Sequence, residues 1–205
     1  NLQQISDYLV DFAKVHGLKY RQDEDLNVII WKDGSKGYEE SDPVILQGHM
    51  DMVAVKEADC DKDMEKEGLD LEINGDYISA KGTSLGGDDG IAVAYTLAVL
   101  DDEEMAHPPI EAIFTVNEEI GMLGAATIDV SDLKGRLFMN MDSEDEGVFT
   151  VSCAGGASVI CKIPYETETV NASVIEIKMD GFTGGHSGVE IIKGRMNANC
   201  AMARV

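Results

Sequence analysis

Ile5, Leu9, Phe12, Ala13 and Val15 recur at close to helical spacing, so residues 2–16 are predicted to form an amphipathic helix that Gly17 ends. A short strand follows at 27–31. Residues 43–48, Pro-Val-Ile-Leu-Gln-Gly, make an apolar run of strand length bounded by turn formers, as suits a strand covered on both faces. It delivers His49 and Asp51 at its carboxyl end. Residues 57–67 are rich in acids and lysines and read as a solvated loop. Two short strands around Leu71 and Ile78 flank Asn74-Gly75-Asp76, a hairpin signal.

Gly86-Gly87-Asp88-Asp89-Gly90 leads into 91–100, whose small and apolar residues suit a helix buried against a sheet. A strand at 110–116 runs into Asn117-Glu118-Glu119, a short helix is expected around 123–126, and a further strand at 136–141 again ends on an acid, Asp142. Alternation of apolar strands with helices predicts an α/β domain with a mixed, largely parallel sheet flanked by helices. From about residue 155 the pattern changes. Residues 157–164 and 173–179 alternate as half-exposed antiparallel strands do, and 189–205 looks helical. The expected organisation is one α/β domain over 1–154 and the beginning of a second, α+β domain over 155–205.

Composition narrows the function. The chain has 205 residues, 44% hydrophobic and 27% charged, which supports folded cores rather than disorder. A net charge of -23, from 39 acidic and 16 basic residues, repels a phosphate backbone and an anionic lipid surface, so neither nucleic acid nor membrane is an expected partner. No apolar run approaches the roughly 20 residues of a membrane span, and the first residues are not signal-like. Cys60, Cys153, Cys161 and Cys200 lie far apart without a CxxC pair, which suits reduced, mostly buried thiols in a cytoplasmic protein.

In open α/β sheets, ligands collect beyond the carboxyl ends of the strands. His49 and Asp51, Glu118 and Glu119, and Asp142 all stand at such ends, while Asp88 and Asp89 open a helix after glycines. The spacing of two in His49-Met50-Asp51 puts both side chains on one face of an extended chain, so Asp51 can orient the imidazole while its other nitrogen binds metal. Glu118 and Glu119 repel one another unless a cation or proton is shared between them. One bound glutamate and one base beside an activated water resolve that repulsion. An oxygen-rich site with one histidine favours Zn, Mn, Co or Mg, and the histidine tilts the choice to zinc. Two ions roughly 3.5 to 4 Å apart would follow the two-metal route to hydrolysis.

Leu46-Gln-Gly-His49-Met-Asp51, Gly82-Thr-Ser-Leu-Gly-Gly-Asp88-Asp-Gly, Asn117-Glu118-Glu119-Ile-Gly, Asn140-Met-Asp142-Ser-Glu and Gly184-Gly-His186-Ser-Gly resemble, in order and spacing, the motifs of the zinc-dependent exopeptidase family of tripeptidase, glutamate carboxypeptidase and succinyl-diaminopimelate desuccinylase. The context of His186, followed by Lys193-Gly-Arg195-Met-Asn197, is similar to the aminoacyl-histidine (Xaa-His) dipeptidase branch. The resemblance implies hydrolysis of small peptides, foremost Xaa-His dipeptides, through a metal-bridged water. It implies His49 and Asp142 as ligands of one zinc, Asp88 as the bridging carboxylate before a cis peptide bond to Asp89, and Glu119 as ligand of the second zinc. Glu118 is implied as general base, Asp51 as the group orienting His49, and His186 as a lid histidine that steadies the oxyanion. Co or Mn could replace zinc, and a homodimer through the lid is implied. A related di-zinc amidohydrolase acting on tripeptides or N-acyl amino acids, or a non-catalytic protein with a degenerate site, are the alternative expectations.

Two positions depart from the family. Asp89 stands where many Xaa-His dipeptidases carry Asn. No residue after His186 matches the family's remaining histidine ligand, so the resemblance implies a site completed beyond residue 205 and little activity from the 205 residues alone.

Overall fold

The computed structural model describes all residues except 144–146, 154, 156, 158 and 186–189, so that His186 lies outside the described residues. The chain divides into two compact units, residues 1–153 and 154–205.

The first unit is built on a five-stranded sheet of order β1-β2-β6-β3-β7. Its strands are β1 (Lys19–Gln22), β2 (Val28–Lys32), β3 (Val44–His49), β6 (Ile110–Thr115) and β7 (Leu137–Asn140), with a separate hairpin of β4 (Leu71–Asn74) and β5 (Tyr77–Ala80). β3 pairs in parallel with both β6 and β7, while β2 runs antiparallel to β1 and β6. The sheet is therefore mixed, as the sequence predicted.

Period-two patterning explains how it packs. Val28 and Ile30 of β2, Leu46 of β3 and Ile110, Ala112 and Phe114 of β6 face one core. Against them lie Leu9, Val10 and Ala13 of α1 (Leu2–Val15) and Val93 and Leu100 of α2 (Gly87–Asp101). The alternate residues Ile29, Ile45 and Ile113 face the other side with Trp31, Ile128 and Leu133. Strands buried on both faces read as continuous apolar runs, which is why β2, β3 and β6 were legible.

Caps and ties fix the helices. The Asn1 side chain accepts the N–H of Gln3 at 3.0 Å to start α1. At the far end of α2, Lys32 Nζ donates to the carbonyls of Val99 and Asp102 at 2.9 and 2.6 Å, filling acceptors that a helix terminus leaves open. α3 (Leu123–Thr127) is a short helix after β6.

β1, Lys-Tyr-Arg-Gln, was not predicted from sequence. It is a polar edge strand, and Lys19 lies 4.4 Å from the centroid of the Trp31 ring on the strand beside it.

In the second unit the sequence expectations need correcting. Neither 157–164 nor 173–179 forms a strand among the described residues, and the expected helix over 189–205 is reduced to a 3₁₀ turn, Ile191–Lys193, and α4 (Ala198–Met202). Alternation signals a strand only where another strand supplies hydrogen bonds and cover. Here Ile160, Ile163, Val174 and Ile175 are all exposed. The thiols are corrected on the same ground: Cys153, Cys161 and Cys200 are exposed and Cys60 half-buried, because the segments that carry the first three bury almost nothing. Among the described residues, no helix is long and apolar enough to cross a membrane.

The core assignment predicts unequal costs. Phe114→Ala, at a side chain with no exposed surface, should lose about 3–5 kcal/mol of unfolding free energy. Ile175→Ala, at a side chain 84% exposed, should stay within about 0.5 kcal/mol in the same urea titration.

Candidate metal centre

The parallel register β6-β3-β7 places three strand ends side by side. β3 closes on His49 itself, pairing it with Thr115 of β6, and Met50 N–H continues the ladder to the Thr115 carbonyl at 2.8 Å. Past β7, Met141 N–H reaches the Gln47 carbonyl at 3.2 Å, which sets Asp142 beside the same corner. α2 opens above it. Asp88 and Asp89 sit at its start with non-helical backbone, joined by a cis peptide bond.

His49 is the fixed point, with a side chain 1% exposed. Its Nε2 lies 2.9 Å from Asp88 Oδ1 and 4.0 Å from Asp142 Oδ2. Its Nδ1 faces the Asp51 carbonyl at 3.0 Å and the Asp51 carboxylate at 3.5 Å. Nδ1 is thus occupied by Asp51, and Nε2 is turned to the acids. His49, Asp88 and Asp142 each offer one ligand atom, all within 4.8 Å of one another, so this group could hold a metal ion. One imidazole with carboxylates suits a borderline or hard divalent cation, and the donor set fits zinc, manganese or cobalt.

The electrostatics agree. Burial by itself lowers the affinity of His49 for a proton, yet the Asp88 carboxylate hydrogen-bonded to it, with Asp51, Asp89 and Asp142 nearby, raises it above the ordinary imidazole value. Burial pushes the Glu118 carboxyl up; Asp142, Glu119 and Asp51 add to the rise, and His49 opposes it. Asp89, 1% exposed, is pushed up to about 6, chiefly by burial and against the His49 N–H that it accepts at 3.1 Å. Acids gathered round a buried imidazole favour a positive charge among them, whether proton or metal.

Close packing holds the corner. A Cβ on Gly48 would stand 2.6 Å from Ala92 Cβ and 2.8 Å from Asp89 Oδ2, so α2 can approach β3 only because position 48 has no side chain.

Glu118 and Glu119 come to this corner through their backbone. The Asp51 carboxylate accepts Glu118 N–H at 3.1 Å and Glu119 N–H at 3.2 Å, a link that sequence did not reveal. Glu118 lines a cavity of about 260 Å³ with Asp142, Gln47, Thr115, Met122 and Phe138. Glu119 is exposed, and its carboxylate does not belong to the group of ligand atoms about His49. The other described histidines stand elsewhere. His16 stacks on Phe12, and His107 Nδ1 contacts the Pro108 carbonyl at 2.7 Å.

No protein-family model matches the chain. It is 38% identical over 204 residues, 98% of its length, to the cytosol non-specific dipeptidase of Escherichia coli (strain K12), and it spans 42% of that relative. Among solved structures it is similar to the aminoacylhistidine dipeptidase of Vibrio alginolyticus, with a TM-score of 0.68 and 42% identity over 70% of this chain and 29% of that one. It is also similar to aminopeptidase PepT of Bacillus cereus, with a TM-score of 0.55 and 26% identity over 69% of this chain and 38% of that one. With its mixed sheet, the chain is thus similar over most of its length to a dipeptidase and an aminopeptidase of known structure and to a curated dipeptidase, and it spans less than half the length of each.

Proposed function

We propose that the chain is the metal-binding part of a metallo-dipeptidase that hydrolyses the amide bond of small peptides, with Xaa-His dipeptides as the first substrate class. The convergence of His49, Asp88 and Asp142 at the strand ends carries this reading, with Glu118 in the adjoining cavity. His49 and Asp142 would hold one ion, Asp88 would bridge to a second, and Glu119 would hold that second ion. Bound zinc would acidify a water and polarise the scissile carbonyl. Glu118, in the adjoining cavity, would take the water's proton and return it to the leaving amine. The upward pull on its carboxyl moves it toward the range that a general base needs near neutral pH. Asp51 orients His49 through Nδ1 and holds the backbone of both glutamates.

His186 is assigned to the oxyanion on the motif Gly184-Gly-His186-Ser-Gly alone. The division into a catalytic domain over 1–154 and a lid over 155–205 belongs to the same reading. So does a homodimer through the lid, for which the exposed Ile160, Ile163, Val174 and Ile175 would supply apolar surface. A cytoplasmic location agrees with the name of the Escherichia coli relative.

In the zinc-loaded full-length protein, Glu118→Ala should lower kcat for alanyl-histidine at least a hundredfold while zinc content, read by atomic absorption, stays unchanged. Equal activity in that variant removes Glu118 from the base role. Asp51→Ala should weaken zinc binding by about 10- to 100-fold in a competition titration, since it removes the carboxylate 3.5 Å from His49 Nδ1 and frees the two glutamate N–H groups, while the carbonyl contact to Nδ1 stays.

A further inference from the structure

The loop that carries Glu118 and Glu119 leaves the sheet and returns to it at one buried side chain from a distant part of the chain. Asn27, just before β2, is 1% exposed. Its Oδ1 accepts the N–H of Val116 at 3.1 Å, where the loop departs from β6. Its Nδ2 donates to the carbonyl of Gly124 at 3.2 Å, where the loop enters α3, and to Asp23 Oδ2 at 2.8 Å. Asp23 Oδ1 also accepts the N–H of Asn27 at 2.8 Å.

The two ends are bonded to each other as well, Gly124 N–H to the Val116 carbonyl at 3.0 Å. Approach is so close that a Cβ on Gly124 would collide with both Asn27 Oδ1 and the Val116 carbonyl oxygen. Residues 117–123 thus form a closed ring with Asn27 as its clasp.

Within the ring, the Glu118 carbonyl accepts the N–H groups of Gly121 and Met122 at 2.8 and 2.9 Å. Asn117 and Met122 take left-handed backbone, with φ of 56° and 57°, which a residue bearing a side chain disfavours. Such a loop keeps its shape only while its ends are held. A carboxamide suits that task, because it accepts one N–H while donating two of its own; a carboxylate could not donate, and an apolar side chain could do neither.

We infer that Asn27 is a positioning residue for the Glu118–Glu119 pair: by closing the loop on β6 and α3 it sets where the two carboxylates stand relative to His49. The inference rests on the roles proposed above for those glutamates.

The test uses zinc-loaded protein and two variants. Asn27→Asp keeps size and acceptor but loses the donor, and the milder Asp23→Ala leaves the Asn27 contacts to Val116 and Gly124 in place and removes the carboxylate that holds its side-chain amide and its backbone N–H. Amide hydrogen exchange is read at Glu118, Glu119 and Gly124 against Ile29 and Ala112 in the sheet, together with kcat and KM for alanyl-histidine. In Asn27→Asp the loop amides should exchange at least tenfold faster with the sheet amides within twofold, and kcat should fall at least tenfold with KM within threefold. Asp23→Ala should shift the same quantities in the same direction by less, and it decides the matter if Asn27→Asp does not fold. Unchanged loop exchange, equal acceleration in the sheet, or faster loop exchange with unchanged kcat each overturns the positioning role.

Should the whole unsubstituted enzyme, of which these residues form the metal-binding part, leave the dipeptide intact, the peptidase reading falls separately. Zinc titration then replaces turnover: affinity weakened at least tenfold with a loosened loop upholds the clasp, and unchanged affinity overturns it.

Discussion

The parallel pairing of β3 with β6 is the constraint from which the rest of the site follows. It sets His49 opposite Thr115, so the chain leaving β6 must pass beside the chain leaving β3. Asp51 and the backbone of Glu118 and Glu119 meet because of that register and for no local reason. Slip the pairing by one residue and every side chain changes face: His49 would turn toward the α1 and α2 core, and Leu46 would turn away from it. The apolar residues on both faces of the two strands oppose such a slip, so hydrophobic burial far from the acids fixes where the acids stand.

That placement has an electrostatic cost. Asp51, Asp88, Asp89 and Asp142 all bear on one buried imidazole, and Asp89 and Glu118 both hold their protons more tightly than free carboxyls do. A stable domain does not need this arrangement, whereas a site for a divalent cation does. Asp89 shows how the two demands meet, since its carboxylate is buried and spends one acceptor on the His49 N–H of the strand that carries the imidazole.

How much was legible depended on whether a signal was local. Two-sided burial wrote β2, β3 and β6 into the sequence as apolar runs, and Asn74-Gly75-Asp76 announced its hairpin, with Gly75 at a φ of 63°. β1 was illegible because its four residues are polar and only their partner makes them a strand. The alternation at 173–179 misled for the converse reason: it describes a ribbon with one face covered, and those residues have no cover. At the site, the spacing of His49 and Asp51 and their position at a strand end could be read directly. The different surroundings of Glu118, in a cavity, and Glu119, in solvent, could not, because neighbours in sequence carry the same chemistry until a loop turns them apart. Asn27 left no signal of its role, since it read only as the first residue of the strand expected at 27–31, and its partners lie far away in sequence.

Lys32 joins regions that topology keeps apart. It lies at the end of β2, one strand in from the polar edge, and its ammonium grips the last carbonyls of α2, while the first residues of that helix include Asp88. α2 is therefore a strut roughly 20 Å long with one foot on the antiparallel side of the sheet and the other among the acids. A bond made on the antiparallel side of the sheet thus anchors the far end of the helix whose opening residues include the carboxylate that faces His49 Nε2.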